Sequence, residues 1–129
     1  MSEGVRGAAD VGALATRDAR GDVAVLLWNY HDDDVAGPDA TVHVSVKAWR
    51  GGRGVRATLW RVDGAHANAY TAWRAMGAPI ALDAAQYAEL ERAAELREEA
   101  VAVTAGARRE VGADVVVPRQ GVALLVFSR

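Results

Sequence analysis

Cysteine is absent from this chain of 129 residues, which excludes a disulfide framework and a thiolate metal site. Proline is scarce, with three residues, and phenylalanine occurs once. No apolar run approaches the roughly 20 residues that a membrane-spanning helix requires. The first residues, MSEGVRGAADVG, lack the apolar core of a signal peptide. These absences predict a soluble protein that is cytoplasmic as expressed and has no membrane partner.

An excess of charge of one sign is also missing. The formal net charge is -2, and acidic and basic residues are interspersed. A nucleic-acid-binding face would need clustered basic residues, so we expect no nucleic-acid partner. The length suits one domain that buries enough surface to fold without covalent staples. We therefore expect a loose N-terminal segment over residues 1–10 and a single domain over residues 11–129.

Apolar residues concentrate in segments of strand length. The segment from Asp22 to Tyr30 contains the continuous apolar run Val23 to Trp28, which predicts a strand buried on both faces. Thr41 to Trp49 alternates between apolar and polar residues, as a half-buried antiparallel strand does. Further strands are predicted at Val11–Asp18, Val55–Val62, Ala100–Thr104, Val115–Val117 and Val122–Phe127.

Two segments have helical character. A short helix is predicted within Ala65–Gly77, where the final glycine provides a stop. A second helix is predicted to begin at Asp83, with Gln86 completing a capping box, and to end near Glu99. Many strands with few helices predict a mainly β protein, an antiparallel β-sandwich with one or two helices packed on the outside.

Polar residues cluster where the central strand ends, and this end of the fold is the candidate rim. His31 and His66 each follow a strand end, so they could meet there, either as a site or as hydrogen-bonded structural histidines. His43 lies on the wet face of its strand and is expected to be ordinary surface. The candidate rim cluster comprises Asn29, Tyr30, His31, Asp32, His66, Asn68 and Tyr70.

Three consecutive aspartates, Asp32 to Asp34, could supply oxygen ligands to a hard cation such as calcium. Their spacing lacks the alternation of an EF-hand loop, and a solvated acidic turn is the competing interpretation. We expect no cofactor and no obligatory metal.

The chain has four tryptophans. Tryptophans on an exposed face of a β-sandwich could form a platform for sugar rings, while core packing is the alternative. The candidate platform comprises Trp28, Trp49, Trp60 and Trp73. The sequence contains no nucleophile elbow, Walker loop or HExxH motif.

Four segments together resemble the accessory region of glycoside hydrolase family 39, whose members are retaining β-xylosidases with α-L-iduronidases as relatives. The resemblance spans about Val11 to Phe127. It rests on LLWNYHDDD (residues 26–34), LWRVDGAHANAYTAWRAMGAP (59–79), DAAQYAELERAAEL (83–96) and VVVPRQGVALLV (115–126).

The resemblance implies a β-sandwich that packs against a catalytic (β/α)8 barrel. Such a barrel needs on the order of 200 residues or more, which this chain cannot provide. The family's acid/base is the glutamate of an Asn-Glu-Pro motif, and no glutamate here follows an asparagine. No catalytic residue can therefore be carried over. We expect a non-catalytic accessory domain from a xylan-degrading type of enzyme; the alternative is a stand-alone carbohydrate-binding module.

The same resemblance suggests partners. The parent barrel would cover one flank, and the parent's N-terminal segment would add strands to the sandwich. Their absence would leave an apolar flank and an unpaired strand edge. We therefore expect a partner that is either the parent barrel or a second copy in a homo-oligomer, with xylose-type saccharides as ligands under the alternative.

Overall fold

The structure, a computed structural model, describes residues 10–32 and 35–129. The expected loose segment up to residue 9 and the aspartates Asp33 and Asp34 lie outside the described residues. The elements, in chain order, are β1 (Asp10–Arg17), β2 (Val23–Tyr30), β3 (Ala40–Val46), β4 (Arg56–Val62), α1 (Ala69–Ala75), α2 (Ala84–Ala94), β5 (Glu98–Val101), β6 (Thr104–Ala105), β7 (Val111–Val117) and β8 (Val122–Ser128).

The strands form two antiparallel sheets. The larger sheet has the order β1-β2-β8-β4-β5, and the smaller has the order β3-β7-β6. One apolar core lies between them, to which the larger sheet contributes Leu27, Leu125 and Phe127 and the smaller contributes Val115 and Val117. The predicted β-sandwich with outlying helices is confirmed.

The central strand β2 is buried on one face only, so the prediction that it is buried on both faces is wrong. Its inward residues, Val23, Val25 and Leu27, are buried, whereas Leu26 and Trp28 on the outer face are half-buried. Strand β8 behaves in the same way. The reason is that the sandwich has two layers, and the helices pack chiefly on each other rather than on this sheet.

Strand β3 ends at Val46, three residues before the predicted end. Ala48 adopts a left-handed conformation with φ 56°, which redirects the chain. Trp49 is thereby turned into the core, where its ring centroid lies 6.5 Å from that of Phe127. Its indole N–H donates to the carbonyl of Gly52 at 3.2 Å.

The two helices form a hairpin that connects β4 to β5. Asn68 caps α1 by accepting from the Thr71 N–H, and Gly77 stands just beyond its end with φ 93°. The capping box of Asp83 and Gln86 at the start of α2 is confirmed. Helix α2 stops at Ala94, short of the predicted end, because the chain from Glu98 onward joins the larger sheet as β5.

Neither helix contains a buried residue. Within the described ranges, no helix is long and apolar enough to cross a membrane.

Candidate functional site

The residues of the candidate rim lie at one end of the larger sheet. Because β2 and β4 both run antiparallel to β8, the ends of β2 and β4 lie beside the start of β8. The structure brings the predicted residues to this end in two groups, and no hydrogen bond found in the described ranges joins His31 to His66.

The first group follows β2. The Tyr30 hydroxyl donates to the Asp32 carboxylate, and this hydrogen bond, with the negative charges of Asp32 and Asp10, raises the pKa of Tyr30 above its ordinary value of 10.0. The side-chain amide of Gln120 clamps the backbone of His31: Oε1 accepts from its N–H at 3.2 Å, and Nε2 donates to its carbonyl at 2.7 Å. The imidazole of His31 is not used in this clamp.

Gln120 was not predicted from the sequence as a rim residue. It holds the left-handed position of the β7–β8 turn, with φ 62°, and Gly121 donates back to Pro118 at 2.8 Å. The Pro-Arg-Gln-Gly stretch predicts a turn. It does not predict which strand end that turn would contact.

Asn29 is fully buried and therefore acts inside the sandwich rather than at its surface. Its Nδ2 donates to the carbonyl of Val117 at 3.1 Å, which links the two sheets beside the rim. Its Oδ1 is buried without a hydrogen-bond partner among the residues that the structure describes. Asn29 thus contributes to cohesion of the two layers.

The second group follows β4 and is organised by Asp63. The Asp63 side chain is 2% exposed and lies 2.7 Å from Nδ1 of His66. Its carboxylate also accepts from the Ala65 N–H at 2.9 Å. An ionised carboxylate only accepts, so Nδ1 of His66 carries the proton of this hydrogen bond. This geometry favours the structural alternative for His66.

Asn68 completes this second group. Its Nδ2 donates to the Asp63 carbonyl at 3.0 Å, while its Oδ1 caps α1. Tyr70 does not join the group: it is 62% exposed, and its ring lies 5.7 Å from that of Trp73. Asp63 itself was missed, although the Asp-Gly pair at this point was a visible turn signal.

A cleft of about 630 Å³ opens between this group and the helix hairpin. On the wall of the cleft, Arg61 donates two hydrogen bonds to the Glu99 carboxylate, from Nε at 3.1 Å and from Nη2 at 2.6 Å. The Thr71 hydroxyl donates a hydrogen bond to the Gly64 carbonyl at 2.6 Å. Three arginines and three glutamates line the cleft, so their formal charges balance.

Metal-ligating side chains do not converge in the described part of the chain. No group of three or more His, Asp or Glu side chains there could hold an ion. Of the acidic triplet, the structure describes Asp32, and that carboxylate is engaged by Tyr30.

The four tryptophans do not form one platform. Trp49 is 2% exposed, so its inclusion was wrong: it is a core residue. Trp73 lies on α1, and its indole N–H donates to the Pro79 carbonyl at 3.0 Å. Trp28 and Trp60 share the outer face of the larger sheet, on strands separated by β8.

No family model and no curated protein matches this sequence. Solved structures do match its fold. A family 39 glycoside hydrolase from Xanthomonas axonopodis pv. citri aligns with a TM-score of 0.68 and 20% identity, over 90% of this chain and 25% of its own. A bacterial orthologue of human α-L-iduronidase aligns with a TM-score of 0.74 and 24% identity, over 92% of this chain and 22% of its own. A monomeric β-xylosidase from Caulobacter crescentus CB15 aligns with a TM-score of 0.64 and 24% identity, over 90% of this chain and 26% of its own.

The chain therefore spans about a quarter of the length of each of these enzymes. Its fold is that of a β-sandwich contained within larger glycosidases. Its structural neighbours are family 39 glycoside hydrolases and related glycosidases, which agrees with the resemblance read from the sequence and with a fragment the size of an accessory domain.

Proposed function

We propose that this chain is a non-catalytic accessory domain that packs against the catalytic part of a glycosidase and supports its assembly. The observation that carries the proposal is the outer face of the larger sheet. Leu14, Leu26, Leu124 and Trp60 lie opposite one another there, in one row across four neighbouring strands. Leu14 is 59% exposed, so the row is open to solvent at the β1 end.

The composition of this outer face is typical of a surface that another body covers. A second row beside the first contains Trp28, Val122 and Val62, and the two valines are 39% and 47% exposed. Four strands at about 4.8 Å spacing make the first row roughly 14 Å long. Large contiguous apolar patches on a protein surface usually mark an interaction site. The larger chains of the structural neighbours supply a candidate partner, the remaining three-quarters of such an enzyme.

A groove at one side of the sandwich supports the same proposal. It has a volume of about 470 Å³ and lies between β1, β2 and β3; Ala13, Ala15 and Val44 contribute to its lining. Strand β3 is hydrogen-bonded to β7 on one side only within the described chain, so its other edge can accept a strand. An added strand from the parent or from a second copy would close the sandwich here.

Hydrolysis of nitrophenyl β-xyloside tests the non-catalytic part of this proposal. A retaining glycosidase requires two carboxylates about 5 Å apart, on opposite sides of the scissile bond. We expect the purified chain to show no turnover above a mock purification. Turnover that copurifies with the chain and falls when its rim carboxylates Asp32 or Asp63 are replaced by asparagine would overturn the proposal.

A further inference from the structure

A small cleft of about 310 Å³ lies at the rim corner of the outer face. Its lining includes Asp10 from β1, Trp28 and Tyr30 from β2, and Gln120 and Val122 from the start of β8. We propose that this corner cleft binds a neutral sugar ring. The inference goes beyond the accessory role. Trp28 and Val122 belong both to the second apolar row and to this cleft, so a sugar and a body that covers that row would compete for the rim end of the outer face.

The Trp28 side chain of the cleft packs over a glycine. A Cβ atom at Gly12 would overlap ring atoms of Trp28, so the indole lies across β1 where that strand has no side chain. Tyr30 stands two residues further along β2, on the same outer face, and is 53% exposed. Two aromatic rings beside a few polar groups are a common composition for small-molecule sites, and their apolar faces can stack on a sugar ring.

The indole N–H groups separate the four tryptophans into two pairs. Trp49 and Trp73 donate to carbonyls of the chain itself. Trp28 and Trp60 have no hydrogen-bond acceptor for this group in residues 10–32 and 35–129, and neither group is among the buried unpaired atoms there. The N–H of Trp28, which lies beside Gly12 on β1, is therefore not used for hydrogen bonding within the described chain.

The charges around the cleft disfavour an anionic ligand. Asp10 lies opposite Tyr30 in the β1–β2 pairing, and Asp32 accepts from the Tyr30 hydroxyl. No lysine or arginine is among the described residues that line this cleft. Carboxylates accept hydrogen bonds from sugar hydroxyls, but they repel the carboxylate of an acidic sugar. The cleft should therefore prefer a neutral saccharide over a uronic acid.

Calorimetric titration of the purified chain with xylotetraose tests this inference. We expect saturable binding, and Tyr30→Ala should weaken it about tenfold, as loss of one aromatic contact would. Tyr30 is exposed, so this variant should fold, which circular dichroism verifies. Trp60→Ala is the matched control, because Trp60 shares the outer face but does not line the cleft; its affinity should stay within about twofold of the unchanged protein.

A trigalacturonate titration tests the charge preference. We expect the chain to bind trigalacturonate at least about tenfold more weakly than xylotetraose. In Asp10→Asn the difference in affinity between the two saccharides should be smaller, because one repelling charge is removed. Three results would overturn the inference: no saturation by xylotetraose at millimolar concentration, equal losses in Tyr30→Ala and Trp60→Ala, or tighter binding of tetramethylammonium than of xylotetraose. The last result would assign the cleft to a cation instead.

Discussion

The two faces of the larger sheet carry similar side chains in opposite settings. Leu125 and Leu27 point into the sandwich and are 0% and 1% exposed, while their sequence neighbours Leu124 and Leu26 point outward and are half-buried. The inner face is closed by the smaller sheet. The outer face is apolar enough to be a core, but no element of the described chain covers it. The difference is the basis of our proposal that the inner face stabilises this domain and that the outer face contacts a partner.

Truncation of paired leucines is the strongest test of this contrast. Leu125→Ala should lower the free energy of unfolding by about 2–5 kcal/mol, because it leaves a cavity in the core. Leu124→Ala removes the same atoms from a half-exposed site and should cost about 1 kcal/mol or less. Denaturant unfolding of both variants measures the difference. Equal losses would mean that the outer face is as well packed as the core.

The two aspartate–histidine pairs extend the contrast to polar groups. Asp63→Ala should cost about 2–3 kcal/mol, because it leaves the Ala65 N–H and the His66 ring without their buried acceptor. Asp114→Ala is the control: Asp114 contacts His43 at 2.6 Å, but both side chains are more than 60% exposed, so the cost should stay below about 1 kcal/mol. Similar costs in a thermal or denaturant melt would contradict the assigned burial.

Gly12→Ala tests the packing of the outer face itself. The added methyl group would meet the Trp28 indole, so we expect a loss of about 1–2 kcal/mol and a red shift of tryptophan emission as the ring is displaced. Gly54→Ala is a suitable control, since no described residue other than its two chain neighbours lies within 4 Å of a Cβ at that position. An unchanged emission spectrum in Gly12→Ala would show that Trp28 does not lie over β1.

The smallest expected effect concerns Tyr30. Asp32→Asn should lower the pKa of Tyr30 toward 10.0, because the hydrogen bond to the carboxylate and its charge both favour the protonated phenol. The raised pKa stabilises the fold at pH values below 10.0 and ceases to do so as the pH rises through the folded pKa. Absorbance titration, with Tyr30→Phe to isolate this phenol, measures the shift. No difference between the unchanged protein and Asp32→Asn would contradict the contact.

The strands and helices of this fold are easier to predict from the sequence than the contacts between them. Most strands, the capping box at Asp83 and the stop at Gly77 follow from local patterns. The exposure of the outer face does not follow from local patterns, because a strand with a continuous apolar run has the same composition whether one or both of its faces are covered. The burial of Trp49 depends on the left-handed conformation of Ala48, and alanine carries no signal for such a turn.

The candidate site was predictable only in part. The end of β2 was recognised from its run of polar residues. Its true partners, Gln120 at His31 and Gly12 beneath Trp28, lie far away in sequence. Asp63 could have been singled out by its Asp-Gly turn, but its proximity to Gly121 at the start of β8 could not. Long-range contacts therefore define the first group of the rim, whereas hydrogen bonds within five residues of Asp63 define the second.

Light scattering coupled to gel filtration tests most directly whether the outer face is a contact surface. We expect the unchanged chain to exceed its monomer mass of 13.6 kDa at micromolar concentration, through the outer face or the free edge of β3. Leu14→Glu, at the exposed end of the apolar row, should shift the protein toward the monomer. Ile80→Glu, an equally apolar exposed site on the helix hairpin, should not. A monomer mass of the unchanged chain that holds over about a hundredfold range of concentration would contradict the proposed role of the outer face in association.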